Sequence, residues 1–301
     1  ILDTSSPAFA ANREAWLKLI ADFRTVEQRV RDASAKTKPV FDRRGQLLPR
    51  ERVARALDAG SPFLELATVA GWCLDNPDPA KTVPGGGLVA GIGYVSGVRC
   101  MVAASDSGID AGAIQPMGLE KILRVVAIAQ ENRLPFLHLV ESAGANLLKY
   151  RVEDFIHGGG LFCGMTRLSA AGIPVVTVVH GSSTAGGAYM PGMSDYVVMV
   201  RGRAKAFLAG TALLKAATGE DASEEELGGA EMHATVSGLA EYLAEDDADG
   251  IRLAREVLAR LDWNRDVRRE QKSVAAPRRD IDELLGLVPL DTKKPYDVRE
   301  V

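Results

Sequence analysis

Apolar and polar positions near the start of the chain repeat with helical spacing. Ser6 and Pro7 precede an apolar stripe that recurs every three or four residues, which predicts a helix that begins at Pro7 with Ser6 as its cap. Residues 43–52 lead into a second, short helix that ends near Gly60. Its charges are expected to face solvent, because charged side chains are seldom buried. The pattern thus predicts a helical region over residues 7–60.

Strand-like patterns begin further along the chain. Residues 87–105 are rich in valine, isoleucine and small residues, and Ser96-Gly97 divides them, which predicts a hairpin with a tight turn. Helical spacing returns over residues 117–128 and again over residues 247–261. A short apolar run at residues 196–200 predicts a further strand. Strands and helices that alternate in this way favour an α/β fold.

Two continuous apolar runs, residues 134–140 and 173–179, each lead into a turn of small residues. Such runs are typical of strands buried on both faces, and a helix between them implies a parallel crossover. In these architectures ligands gather at the carboxyl ends of the strands. The turns at residues 141–146 and 180–189 are therefore the candidate site.

The second turn contains Gly186 and Gly187, whose missing β-carbons let a ligand carbonyl come close to the backbone amides. Residues 142–145 offer further amides at a predicted helix start, where unpaired donors favour negative charge. Two amides directed at one oxygen form an oxyanion hole, which stabilises developing negative charge. The chemistry predicted is carbonyl activation. The alternative is that the small residues only allow tight strand-to-helix packing.

Composition limits the partners. Lys and Arg total 36 against 40 for Asp and Glu, and neither sign forms a long block, so the charge pattern of a nucleic-acid binder is absent. Three scattered cysteines indicate neither a disulfide framework nor a zinc site, and they fit a reducing compartment. The apolar runs are shorter than the roughly 20 residues that cross a bilayer, and no cationic leader opens the chain. We expect no nucleic-acid or membrane partner.

Side chains suited to acid–base or nucleophilic catalysis are few near the turns. Ser183 lacks the glycine-flanked elbow of a serine hydrolase, and His180 and the nearby hydroxyls are interpreted as structural. Glu141 could act as a base, but a carboxylate that accepts hydrogen bonds from the following turn is the simpler interpretation. His138 lies in an apolar strand and is interpreted as a core residue. If no side chain moves the proton, a cofactor must.

Metal and phosphate sites have no clear signature. His157 and His233 have no histidine or cysteine at metal-ligand spacing, so no metal is expected. The two triple-glycine segments lack the Lys-Ser/Thr of a phosphate-binding loop. The candidate contacts for a phosphate are Arg43, Arg44, Arg50 and Lys121.

Specific motifs occur in a fixed order. They are TAGGAY at residues 184–189, FLAG at 207–210, KAATGE at 215–220 and ELGGA at 226–230. Together with RGQLLPRER at residues 44–52, they resemble the carboxyltransferase β subunits of biotin-dependent acyl-CoA carboxylases. The resemblance covers nearly the whole chain.

This resemblance implies a crotonase-type α/β fold, a spiral of β-β-α units with flanking helices, which occurs twice in a complete subunit. Residues 1–264 resemble the first, N-terminal copy. Residues 265–301 are charged and proline-bearing, and are expected to be a linker toward a missing C-terminal carboxyltransferase domain. No Met-Lys-Met biotin attachment tripeptide is present, so biotin is expected on a partner subunit or domain.

The resemblance also implies a mechanism. Carboxybiotin, delivered by a biotin carboxylase and biotin carrier α subunit, releases carbon dioxide in the site, and the freed biotin removes the α-proton of the acyl-CoA. Backbone amides hold the resulting enolate. The amides assigned to this role by motif are those of Ala143, Gly144, Gly186 and Gly187, although family members commonly have Gly at the first of these positions. Further residues expected to contact the substrate are Ser142, Ala145, Asn146, Ala185, Ala188 and Tyr189.

Within the family, residues 145–147 and 188–196 look more like the methylcrotonoyl-CoA and geranyl-CoA branch, since the propionyl-CoA branch usually has Arg at the position of Asn146. A homo-oligomer, a hexamer in the family, and a cytoplasmic or mitochondrial-matrix location are expected. The alternatives are a propionyl-, acetyl- or long-chain acyl-CoA carboxylase β subunit, a biotin-dependent decarboxylase subunit, a spiral-fold serine hydrolase and a non-catalytic assembly subunit.

Overall fold

The chain divides into two units. The structure is a computed structural model that describes residues 3–74, 76–146, 148–263 and 275–301. One unit comprises residues 30–265, and the other combines residues 1–29 with residues 266–301. No helix among the described residues is long and apolar enough to cross a membrane.

Strands and helices alternate along the described residues. The strands are β1 (Leu64–Glu65), β2 (Leu88–Val95), β3 (Val98–Ser105), β4 (Phe136–Ser142), β5 (Val175–Thr184), β6 (Tyr196–Val200), β7 (Lys205–Phe207) and β8 (Tyr242–Ala244). The α-helices are α1 (Pro7–Ala35), α2 (Lys38–Arg43), α3 (Pro49–Ala56), α4 (Pro116–Glu131), α5 (Val152–Ala170), α6 (Tyr189–Gly192), α7 (Thr211–Thr218), α8 (Glu224–Gly228), α9 (Ala230–Met232), α10 (Asp247–Arg260) and α11 (Leu284–Leu287). Short 3-10 segments occur at Asp110–Gly112, Ala185–Ala188, Ile281–Glu283 and Val298–Glu300, and a π-helical turn at His233–Ser237.

β2 and β3 form the predicted hairpin. They pair antiparallel with Val95 opposite Val98, and the intervening Ser96 and Gly97 have φ angles of 51° and 77°. Positive φ at both central residues suits the right-handed twist of the strands. The Asp58 carboxylate accepts hydrogen bonds from both turn amides, at 2.8 Å from Ser96 N and 2.7 Å from Gly97 N. The hairpin prediction is confirmed.

From β3 onward the sheet is parallel. β4 pairs with β3 and β5, β5 also pairs with β6 and β7, and β6 pairs with β8. α4 connects β3 to β4, and α5 connects β4 to β5. β4 is buried along its whole length, and β5 is buried through residue 181. Helices on both faces explain the continuous apolar sequences of these strands.

Two buried clusters occupy the faces of the sheet. On one face, Leu139 of β4 belongs to a cluster with Leu258 of α10. On the other face, Val140 belongs to a cluster with Ile122 of α4 and Met165 of α5. Because neighbouring residues of a strand point to opposite faces, one apolar run fills both layers. The predicted crossover arrangement is confirmed.

The strand-end turns differ from the prediction. β5 continues through Thr184, beyond the predicted end at residue 179, and a helical turn begins there at Ala185–Ala188. The predicted helix start at residues 142–145 is wrong. Ala145 instead forms a parallel bridge with Ile114, and α5 begins only at Val152. A partner from a distant segment therefore replaces the helical turn that was expected at Ala145.

The unit formed by the two chain ends contains more structure than a linker. Ser6 Oγ accepts a hydrogen bond from the Phe9 amide, so the predicted cap of α1 is confirmed. Trp16 Nε1 donates to the carbonyl of Val288 at 2.7 Å, and Asn12 Nδ2 donates to the same oxygen at 2.6 Å. Residues 275–301 are thus docked on their own unit. Residues 264–274 lie outside the described residues, and continuation into a second domain stays a prediction.

Candidate active site

The two predicted turns meet at one edge of the sheet. Ser142 at the end of β4 pairs with Ser183 of β5. A β-carbon placed on Gly144 would lie 3.1 Å from the carbonyl oxygen of Thr184 and 3.7 Å from the amide nitrogen of Gly186. The structure therefore brings together the two small-residue segments that the sequence pattern singled out.

In the first turn, backbone geometry and one hydroxyl determine the shape. Gly144 has a φ of 80°, a conformation that other residues seldom adopt. Its amide donates to Ser142 Oγ at 3.1 Å, and that hydroxyl donates to the carbonyl of Gly112 at 2.9 Å. The Gly144 amide, predicted as an oxyanion donor, is thus already hydrogen bonded within the turn.

The second turn starts helically. Ala185 has a φ of 52°, which is strained for a residue with a side chain, and the helical turn Ala185–Ala188 continues into α6. Ser183 Oγ donates to the carbonyl of Gly187 at 2.8 Å and holds the turn closed. A β-carbon on Gly186 would meet no other atom within 4 Å. Gly186 therefore borders open space.

That open space is a pocket of about 210 Å³. Its turn residues are Ala143, Ala145, Ala185 and Gly186. The remaining lining residues are mostly apolar: Ile114, Leu119, Tyr150, Asp154, Phe155, Gly158, Leu161, Phe162 and Met190. An apolar pocket with a few backbone polar groups suits an acyl chain next to a carbonyl.

The other predicted contacts lie around this pocket rather than in its wall. Asn146 Oδ1 accepts a hydrogen bond from the Leu148 amide, which makes it a turn residue. The Tyr189 ring packs against Phe162 at a centroid distance of 4.6 Å. Ala188 is the last residue of the helical turn that contains Gly186 and Gly187.

A second, much smaller cavity, of about 30 Å³, lies behind the turns. Ser142 and Gly187 line it, together with His138 and the glycines at positions 86, 87, 112 and 118. Burial lowers the pKa of His138 to about 4, so its ring is neutral at neutral pH. It stacks on Phe136 at 5.2 Å. The prediction that His138 is a satisfied core residue is confirmed for its burial, but its Nδ1 has no hydrogen-bond partner among the described residues.

Sequence reasoning missed the far wall of the pocket. Phe155, Gly158 and Phe162 belong to α5, which carries three consecutive glycines at residues 158–160. Glycine weakens a helix interior, so three in a row are an available signal of a close approach or an opening. The comparison with a phosphate-binding loop, which these glycines do not match, does not reveal this role.

The serine hydrolase interpretation fails on geometry. The hydroxyl of Ser183 donates to a backbone carbonyl, as described above. His180 Nδ1 lies 3.1 Å from Asp247 Oδ1 instead. His180 and Ser183 thus have separate partners and do not form a nucleophile–base pair.

The expected solvent exposure of the charged segment at residues 43–52 is wrong for its last residue. Arg52 is fully buried and pairs with Glu141 and Asp247. Glu141 also accepts a hydrogen bond from Ser107 Oγ at 2.8 Å. The partners of Glu141 are therefore Arg52 and neighbouring side chains, not the turn that follows it.

Two of the candidate phosphate contacts are occupied internally. Arg50 forms a two-pronged ion pair with Glu65, at 2.8 and 3.0 Å. Lys121 is buried and donates to the carbonyls of Gly85 and Leu88, and burial lowers its pKa to about 8. Across the described ranges, no group of three or more His, Cys, Asp or Glu side chains is arranged to hold a metal.

Comparison with known proteins identifies the family of this chain. Residues 42–301 match the family model described as the carboxyl transferase domain. The chain belongs to the carboxyl transferase family. It is 51% identical, over 86% of its length, to the probable biotin-dependent acyl-coenzyme A carboxylase beta2 subunit of Mycobacterium tuberculosis, of which it covers 47%. It is 39% identical over its whole length to the probable methylcrotonoyl-CoA carboxylase beta chain, mitochondrial, of Drosophila melanogaster, of which it covers 55%.

A solved carboxyl transferase structure extends the comparison to the fold. The beta subunit of geranyl-CoA carboxylase from P. aeruginosa is 56% identical and superposes with a TM-score of 0.90, over 99% of this chain and 55% of that one. The resemblance to carboxyltransferase β subunits and the crotonase-type α/β fold are both confirmed. The chain spans about half the length of the relatives it matches.

Proposed function

We propose that the two turns bind the thioester of an acyl-CoA, and that this chain forms the acyl-CoA half of a carboxyltransferase site. The observation that carries the proposal is the meeting of the turns beside the apolar pocket. In this arrangement the thioester carbonyl faces the second turn, and the acyl chain enters the pocket.

The backbone of the second turn stabilises the enolate. Gly186 and Gly187 supply amides at the start of a helical turn, and Gly186 borders the pocket. A positioned amide is worth more in the transition state, when the oxygen becomes negative, than in the bound ester. Removing one such donor typically costs about 10²–10³ in kcat. Ala143 of the first turn is the remaining candidate donor, since Gly144 is engaged.

The acyl group is proposed to be branched and unsaturated, of the methylcrotonoyl or geranoyl class. Support comes from the apolar lining and from Gly158, which leaves one wall of the pocket without a side chain. A β-carbon there would touch Leu119 at 3.6 Å, an ordinary contact, so a larger residue would fill the pocket rather than break the fold. The relatives named above for these two substrates agree with this assignment.

Biotin, which the family implies, has to act beside the same turns. Asp154 is the one carboxylate among the described lining residues, and it already accepts a hydrogen bond from the Arg151 amide at 2.8 Å. A pocket wall with so few proton acceptors is consistent with a ligand that carries its own base. Bound biotin would supply both the carboxyl group and the base for the α-proton. The residues of this chain beside it would be those of the two turns.

A second crotonase-type domain, from a neighbouring protomer of a homo-oligomer, is proposed to complete the site, and a separate α subunit to carry the biotin. Exposed apolar side chains near the pocket support the presence of a neighbouring protomer that covers them. Leu148 is 97% exposed, Val152 is 72% exposed and Ile156 is 75% exposed. Exposed apolar groups clustered in this way typically mark an interface. A hexamer is the assembly expected for the complete subunit.

The test is biotin-dependent carboxylation of a panel of acyl-CoA esters by the carboxylase that contains this chain, assembled with its biotin-carrying subunit. We expect methylcrotonoyl- or geranoyl-CoA to be preferred over propionyl- and acetyl-CoA. Gly158→Leu should reduce turnover of the longest ester most, while Gly192→Leu, outside the pocket wall and open around its β-carbon, should not. Loss of carboxyl groups from malonyl-type esters, with no forward reaction, would point to a decarboxylase instead.

A further inference from the structure

Behind the two turns, a buried arginine joins two carboxylates. Arg52 is 0% exposed, and its Nη1 lies 2.6 Å from Glu141 Oε2 while its Nε lies 3.0 Å from Asp247 Oδ2. Asp247 Oδ2 also accepts a hydrogen bond from the Leu47 amide, and Glu141 Oε2 accepts one from Ser107 Oγ, both at 2.8 Å. The guanidinium fork thereby holds the two carboxylates in one geometry.

The network reaches both strands that carry the turns. Glu141 directly precedes Ser142 at the end of β4, and Asp247 begins α10. His180 of β5 approaches Asp247 Oδ1 at 3.1 Å, close but not aligned as a hydrogen bond. Gln46 Nε2 donates to Glu141 Oε1 and to the His180 carbonyl, each at 3.2 Å. α3 and α10 are thereby linked to the ends of β4 and β5.

Close packing leaves the network little freedom. A β-carbon on Gly181 would lie 2.6 Å from Glu141 Oε1, so a glycine here lets the carboxylate rest against β5. Burying charges costs free energy, and an apolar cluster of similar volume often stabilises a protein equally well or better. Stability alone therefore does not account for a buried ion network at this place.

The protonation states of His180 and Asp247 are consistent with a fixed arrangement of the ion network. Burial first, and then the charge of Arg52, lower the pKa of His180, so its ring is neutral at neutral pH. Burial would raise the pKa of Asp247, but the His180 side chain, Arg52 and the Leu47 amide together lower it to about 2. Asp247 is therefore ionised where it contacts Arg52.

We propose that Arg52 is a positioning residue that, through Glu141 and Asp247, fixes the first turn relative to the second. This inference rests on the proposed function, because the relative position of the two turns sets the distance between their amides and the thioester oxygen. A displacement of about 1 Å between reacting groups can cost roughly 10²-fold in rate. Arg52 thus influences turnover without touching the substrate.

The experiment removes the planar guanidinium group of residue 52 and keeps its positive charge. Arg52→Lys retains a cation that cannot hold two carboxylates in this geometry. We expect the infrared carbonyl frequency of bound, carbonyl-¹³C-labelled acyl-CoA, which the amides lower in the wild-type carboxylase, to move back toward that of the free ester. We further expect kcat to fall roughly 10- to 100-fold, with KM changed by less than about threefold.

A matched control exists on the same pair of helices. Arg255 of α10 pairs with Asp58, which follows α3, at 2.9 Å and also donates to the Ala56 carbonyl, away from the turns. Arg255→Lys should leave the carbonyl frequency and kcat at wild-type values. An equal loss in this control would overturn the proposal, since it would indicate general loosening of α3 against α10.

The remaining outcomes are also decisive. A folded Arg52→Lys enzyme with wild-type frequency and kcat would refute the positioning role. If Arg52→Lys does not fold, Gln46→Met, which removes the bridge between Glu141 and the His180 carbonyl, decides by the same two readouts. A wild-type enzyme that leaves the acyl-CoA carbonyl frequency unchanged would instead refute the proposed function.

Discussion

The two turns end neighbouring parallel strands, yet their backbones are used differently. After β5 a helical turn follows at once, and Gly186 faces the pocket. After β4, Ala145 bridges to Ile114, α5 begins only at Val152, and the Gly144 amide is held by the Ser142 hydroxyl. The second turn is therefore free to bind a ligand, whereas the first is held by internal hydrogen bonds.

Under the proposed function, this difference gives the two turns separate roles. A residue of the second turn should matter for binding and catalysis more than for folding, because it borders open space. Gly144 of the first turn should matter for folding, because its amide is already engaged. Substitutions in each turn can separate the two roles.

The largest effect is expected from Gly186→Val. The new side chain would enter the pocket where a β-carbon meets no protein atom, so the protein should fold normally while the thioester is displaced. Carboxylation should fall by about 10²-fold or more. The measurement is carboxylation rate alongside thermal melting. Gly192→Val, also open around its β-carbon but outside the pocket wall, is the control. Near-normal activity of Gly186→Val would reverse the assignment of the turns.

His138, in the cavity behind both turns, provides a pH test. Its folded pKa of about 4 lies below the ordinary 6.5, so between these values the unfolded state takes up a proton that the folded state does not. Wild-type stability should therefore fall as the pH drops from 6.5 to 4, by roughly 3 kcal/mol more than that of His138→Gln. Urea unfolding at several pH values measures this. Parallel profiles would show that the cavity admits a charged ring. The exposed His157, replaced by Gln, is the control.

A smaller effect on stability is expected from Gly144→Ala. Left-handed backbone costs a residue with a side chain about 1–2 kcal/mol, and the new β-carbon would press on the Thr184 carbonyl at 3.1 Å. Gly219→Ala is a matched control, because Gly219 has a φ of 79° and open space around its β-carbon. Urea unfolding should therefore show a greater loss for Gly144 than for Gly219. Equal losses would mean that contact between the turns contributes nothing.

The smallest effect is expected from Ser183→Ala. This substitution removes one buried hydrogen bond to the Gly187 carbonyl, worth about 1 kcal/mol, and no nucleophile. Carboxylation should stay within about fivefold of wild type, an allowance for a slightly looser turn. Loss of 10²-fold or more in a folded protein would restore the nucleophilic interpretation of Ser183.

The strands and the meeting of the turns could be predicted because they follow from local pattern. Residues 196–200 were predicted as a strand and form β6 with those limits. The apolar runs before the turns indicated buried parallel strands, and parallel strands bring their ends to one edge. For this reason the position of the site was available from sequence.

The contacts that determine the role of each site residue involve partners that are distant in the sequence. The Gly144 amide is engaged because Ser142 is itself fixed by the carbonyl of Gly112, 30 residues away. Arg52 is buried because its carboxylate partners come from 89 and 195 residues along the chain. Neither local spacing nor composition contains this information, so the segment around Arg52 was expected to be solvated.

The most direct test of the central claim is a crystal structure of the carboxylase containing this chain with an acyl-CoA ester bound. The thioester oxygen should lie within about 3 Å of the amide of Gly186 or Gly187, with the acyl chain among the residues of the apolar pocket. A thioester bound more than about 10 Å from Gly186, too far for any hydrogen bond, would contradict the claim.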